Sequence, residues 1–159
     1  MTSWLRRRLR KAGDDGSAVV EFVFLAIVLM IPVVYLVLTL ARVQEAAFAA
    51  EAVSRDVSRA AVVGGVDALR AGASNADAES AARERADAAL ATTLADFHLE
   101  RDAADVHLAC TADPCLTPGS DVTVSVSIEV SLPVIGALVS RARVSVDSTG
   151  SSPVDGYLP

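Results

Sequence analysis

The sequence predicts an α+β fold: one long N-terminal helix, a second helix, then a small three-stranded antiparallel sheet. Three observations carry that expectation. Twenty consecutive residues, 22–41, hold no charge. Apolar residues then recur at helical spacing as far as Val63, and again over residues 75–98. Past Arg101 the apolar period drops to two, which marks strands with one buried and one wet face.

Residues 1–16 read as a basic leader. Arg6, Arg7, Arg8, Arg10 and Lys11 against Asp14 and Asp15 give a net charge of +3. Such a cluster stays cytoplasmic and sends the C-terminus across the membrane, so the chain is expected to be single-pass with its N-terminus inside. Trp4 and Leu5 beside the arginines could rest on the membrane surface. A solvated, unstructured leader is the preferred reading.

The uncharged run is about 30 Å long as a helix, the thickness of a hydrocarbon core. Pro32 inside it removes one i→i−4 bond and should kink or locally unwind the helix. Beyond Ala41 the pattern continues through Val43, Ala46, Ala47, Ala50, Val53, Val57, Ala60 and Ala61, with Glu51 and Arg55 paired one turn apart. Gly64-Gly65 is the expected stop. A helix over 17–63 would be about 70 Å long, part in lipid and part outside.

Residues 64–148 are expected to form a small α+β ectodomain, with a possible helical turn over 66–71. The second helix should start at Ser74-Asn75, with Asp77 completing an approximate capping box, and end near His98. Ala78, Ala82, Ala86, Leu90, Leu94 and Phe97 keep one face apolar. Val106, Leu108 and Cys110 alternate on a first strand, and Val122 to Leu132 on a second. Ala142, Val144 and Val146 make a third, and the second strand should pair with both others. The apolar connection 133–140 is too short to span a bilayer and is expected to pack on the sheet edge, with lipid or a partner as the other possibility. Residues 149–159, part of a Ser, Gly and Pro-rich stretch beginning at Ser148, read as a flexible tail.

Outside the leader, nine basic and eighteen acidic residues give a net charge of −9. That acidic balance argues against nucleic-acid binding, which needs a basic patch. Roughly 115 residues remain outside the span, enough for one small domain. Cys110 and Cys115 form a C-x4-C pair. In an exported domain a disulfide is the natural reading, free thiols being the alternative. A single such pair is a poor zinc site.

One acidic residue, Glu21, heads the uncharged run, five positions after Gly16. A carboxylate there is costly in lipid, which makes it a functional candidate. This layout of basic leader, Gly, four residues, Glu and long apolar helix resembles a class III, prepilin-type signal. More narrowly, Gly16-Ser17-Ala18-Val19-Val20-Glu21-Phe22 ahead of a Pro-containing span resembles the TadE-like family, pseudopilins of the tight-adherence (Tad/Flp) pilus. The likeness covers about residues 13–60, and the rest matches in general shape. It departs from ordinary type IV pilins at Ser17, where an aromatic often follows the Gly.

The resemblance implies a pilin-like fold and cleavage between Gly16 and Ser17 by a prepilin peptidase. It also implies that Glu21 pairs with a neighbour's new amino terminus and so sets subunit stagger. The implied partners are other pilins, the pilus assembly machinery and the membrane, and the implied role is that of a minor subunit in a surface-adhesion pilus.

The rival reading is an uncleaved single-pass anchor whose ectodomain binds an envelope partner. Cleavage at Ala47-Phe48-Ala49 as an ordinary secretory signal is disfavoured, because the apolar run is too long and continues into an amphipathic helix. His98, Asp102, Asp105 and His107 are close in sequence but match neither helix-face nor strand-face ligand spacing, so no metal site is expected. The chain lacks G-x-S-x-G, H-E-x-x-H, a Gly-rich phosphate loop and C-x-x-C. Neither a catalytic role nor a cofactor is expected.

Overall fold

A computed structural model describes residues 3–131 and 143–155, with side chains from residue 18 onward. Its elements in order are α1 (Ser3–Arg70), α2 (Asn75–Asp96), a 3-10 turn (Arg101–Ala103), β1 (Ala104–Cys110), β2 (Asp121–Ser131) and β3 (Arg143–Pro153). The α+β order expected from the sequence is the one observed. The chain divides into two compact units, Met1–Leu40 and Ala41–Pro159; the second is called the head below.

Helix α1 departs from expectation at both ends. It begins at Ser3, so residues 3–16 are helical where an unstructured leader was expected. It also runs through Gly64-Gly65 to Arg70, absorbing the turn anticipated at 66–71. These glycines do not stop the helix because their missing side chains are what α2 and Leu116 pack against. A Cβ on Gly64 would stand 2.5 Å from Arg85 Cγ, and one on Gly65 would run into Leu116 Cδ1. The stop lies at Gly72, whose φ of +86° is the left-handed conformation that glycine adopts without strain. The Gly72 N–H donates to the Leu69 carbonyl and the Ala73 N–H to the Ala68 carbonyl, each at 3.0 Å, which is a Schellman cap.

Helix α2 follows its sequence signals closely. Ser74 is its N-cap: the hydroxyl accepts from the Asp77 N–H at 3.3 Å and donates to Asp77 Oδ2 at 2.7 Å. Ala78, Ala82, Ala86, Leu90 and Leu94 are buried, as the apolar stripe requires. The helix closes on a second Schellman cap. His98, at φ 55°, donates its N–H to the Ala95 carbonyl, and the Leu99 N–H reaches the Leu94 carbonyl.

The sheet has the order β1-β2-β3 and is antiparallel throughout. Val122, Val124, Val126 and Ile128 of β2 point inward and are almost wholly buried. Each contributes about 1.5–3 kcal/mol relative to exposure. They share one core with Ala46, Ala49, Ala50, Val53, Val57 and Ala61 of α1 and with the buried stripe of α2.

Of the expected flexible tail, residues 149–153 are strand. Ser148–Pro153 pairs with Val126–Asp121 in unbroken register, and Val154 behind it is buried. The inward positions of this half of β3 are Ser148, Gly150 and Ser152, too small and polar to read as a buried face. They fit because α1 offers hydroxyls in return: Ser54 Oγ lies 3.3 Å from Ser148 Oγ, and Ser58 Oγ lies 3.2 Å from Ser152 Oγ. Ser54 and Ser58 are themselves fully buried. Between the two pairs Gly150 lies against the backbone of Ser54. The apolar connection 133–140, Leu132, Ala142 and the last four residues lie outside the described residues.

Candidate functional site

The described part of the first unit is a single stretch of α1, and its chemistry is that of its surface. Phe22, Leu25 and Leu36 are each 64% exposed or more, and none of the most apolar window is buried within the protein. Four consecutive residues, 22–25, already face every direction around a helix of 3.6 residues per turn, and all four are exposed. An apolar surface on all sides is what a membrane-spanning helix presents to lipid. This is one helix long and apolar enough to cross a membrane, compatible with a single-pass anchor. Pro32 lies inside α1, which stays helical on both sides of it.

Gly16, Ser17 and Glu21 all fall on the helical backbone of α1. The four-residue step from Ser17 to Glu21 is therefore one turn, about 6 Å along the axis. Glu21 is exposed and sits where the uncharged run begins. An amino terminus created at Ser17 would lie on the same side of the helix as the Glu21 carboxylate, and within reach of it.

In the head, Cys110 and Cys115 are joined in a disulfide, with Cα atoms 5.2 Å apart. The bridge closes residues 110–115, and Leu116, the residue directly after it, reaches Gly65. Glu79 Oε1 accepts the Cys115 N–H at 3.3 Å, fixing the loop to α2. In the chain-entropy picture a loop this short stabilises by about 2 kcal/mol. Replacing both cysteines with serine should therefore lower unfolding free energy by about 2 kcal/mol in denaturant titrations, with the fold retained. A loss below about 0.5 kcal/mol would show the loop to be held by Leu116 and Glu79 alone.

The acidic and histidine residues near the second cap do not converge. His98 supplies a helix cap, while Asp105 and His107 stand 3.5 Å apart on β1 with both side chains at least 75% exposed. Among the described residues no three His, Cys, Asp or Glu side chains gather as a metal site would require. The head has two grooves of note. One of 240 Å³ is lined by Glu79, Arg83, Leu108, Leu116 and the disulfide. Another of 490 Å³ lies beside Arg42 and the end of α2.

Sequence reasoning missed Ser54, Ser58, Gly65 and Gly150, which fix how the head is assembled. The signal for the serines was present: they are one turn apart, on the apolar face of an otherwise alanine and valine helix. No family model, no curated protein and no solved structure matches the chain.

Proposed function

We propose that the protein is a TadE-like minor pseudopilin. In this reading it is made as a single-pass precursor with its N-terminus in the cytoplasm and its head outside. A prepilin peptidase cuts it between Gly16 and Ser17, and it takes part in assembling a Tad/Flp-type adhesion pilus with other pilins. The observation that carries the reading is the spacing Gly16, four residues, Glu21, directly ahead of twenty uncharged residues. Support comes from the α+β head behind a helix exposed on every side, and from the disulfide, which suits an extracytoplasmic compartment.

Cleavage has a physical rationale. The leader's five cations tie the N-terminus to the cytoplasm, and removing them leaves one amino group beside one carboxylate. Co-expressed with its peptidase, the membrane form should have an intact mass short by residues 1–16 and an N-terminal sequence beginning at Ser17. Gly16→Leu should stay full length. A mature wild-type protein that still carries its leader would instead support an uncleaved anchor with a partner-binding head.

A further inference from the structure

We propose that the end of the head beside Arg42 is a lipid-contact surface, its groove resting on zwitterionic headgroups of the bilayer that α1 crosses. The proposal rests on the membrane-spanning part of the reading above, not on cleavage or pilus assembly.

Depth is the first argument. The uncharged run ends at Ala41, and the groove is lined on α1 by Arg42, Glu45 and Ala46. At about 1.5 Å per residue, these stand at most about 8 Å beyond the end of the run, and any tilt lowers them. The polar layer between hydrocarbon and water is about 5–8 Å thick on each side. This wall of the groove is therefore at headgroup level whatever direction the helix takes.

The opposite wall comes from distant parts of the chain. Phe97 and Leu99, at the Schellman cap of α2, and Val130, near the end of β2, line the same groove. All three are only half-buried in the head, although they pack against its core. Apolar side chains set against a bilayer gain by entering the boundary between headgroups and acyl chains. Ser131 also lines the groove and pairs with Arg143, so the start of β3 lies at the same end of the sheet.

Charge selects the lipid. Arg42 and Glu45 stand about one turn apart on the groove, and Glu129, which also lines it, accepts from Arg143 at 3.0 Å and is thereby neutralised. A cation for the phosphate and a carboxylate for the ammonium match a zwitterionic headgroup. An anionic leaflet would call for a cluster of four or more cations, and the described lining residues include one arginine.

The test uses the full chain with Trp4→Phe, reconstituted in phosphatidylcholine vesicles whose acyl chains carry bromine near the headgroup or near the bilayer centre. Single tryptophans are placed by Leu99→Trp in the groove, Glu100→Trp on the exposed position beside it, Leu29→Trp in the uncharged run and Ala76→Trp at the far end of α2. Glu100→Trp guards against a packing defect from Leu99→Trp. Shallow bromine should quench the indole of the Leu99→Trp or Glu100→Trp variant and shift its emission to the blue. Deep bromine should quench the Leu29→Trp variant, and the Ala76→Trp variant should be unaffected. Quenching in the uncharged run without quenching of either groove probe overturns the inference and leaves the span standing. Loss of quenching in the Leu29→Trp variant itself removes the span and the inference together. Groove quenching that appears only after anionic lipid is added overturns the zwitterionic assignment.

Discussion

Replacing Gly150 with valine should cost the head about 3 kcal/mol or more and detach the second half of β3 from α1. A Cβ at this position would overlap Ser54 O and lie 2.5 Å from Ser54 C and 2.9 Å from Arg55 N. All three are backbone atoms in mid-helix, so no side chain can rotate away, and the strand or the helix must shift. Either movement breaks the Ser54–Ser148 and Ser58–Ser152 hydroxyl pairs that flank the contact. Small domains are stable by about 5–15 kcal/mol, so a loss of this size is a large fraction of the total. Ser148→Ala is the control: it removes one neutral hydrogen bond, worth about 1 kcal/mol, without a clash. Denaturant unfolding of the detergent-solubilised chain measures both. If Gly150→Val unfolds within about 0.5 kcal/mol of wild type, strand and helix do not approach as closely as described.

The same contact explains which parts of the fold could be read from sequence. Periodicity exposes an element when its buried face is apolar, as in Val122, Val124, Val126 and Ile128, or in the Ala78-to-Leu94 stripe of α2. It fails where two backbones approach closely, because such contacts select Gly and Ser, the residues that otherwise mark turns and tails. Gly64-Gly65 therefore read as a helix stop and Ser148–Pro153 as a loose end. Both are packed interfaces, and the true stop at Gly72 lies seven residues beyond Gly65. The candidate site differs in kind. The uncharged run is legible directly as composition, and the roles proposed for Gly16 and Glu21 rest on their spacing ahead of it. The groove beside Arg42 was not legible, since Phe97, Leu99 and Val130 meet Arg42 only through the tertiary fold.

Glu21→Gln should leave membrane insertion intact and impair assembly of cleaved subunits by about tenfold or more. The run from Phe22 to Ala41 is untouched by the change, and a neutral amide at its head is easier to place near lipid than a carboxylate. Assembly is another matter. Under the proposed processing every mature subunit begins with a charged amino group at Ser17, one turn from Glu21 on the same helix. When helices pack together away from water, that ammonium needs a carboxylate from its own chain or a neighbour's. Leaving it unpaired in a low-dielectric core is strongly destabilising, and a loss of about 1.4 kcal/mol per subunit already accounts for tenfold. A negative charge in the first turn also suits the helix dipole, a contribution that glutamine lacks. Glu21→Asp separates charge from geometry: it keeps the carboxylate but shortens its reach by one methylene, so it should assemble better than Glu21→Gln and worse than wild type. The readout is crosslinking of cleaved subunits into pilin complexes at equal membrane abundance, with intact mass confirming that each variant has lost residues 1–16. Should Glu21→Gln crosslink as well as wild type, the carboxylate is an interfacial residue with no part in subunit pairing, and the proposed role of the Gly16–Glu21 spacing in assembly falls with it.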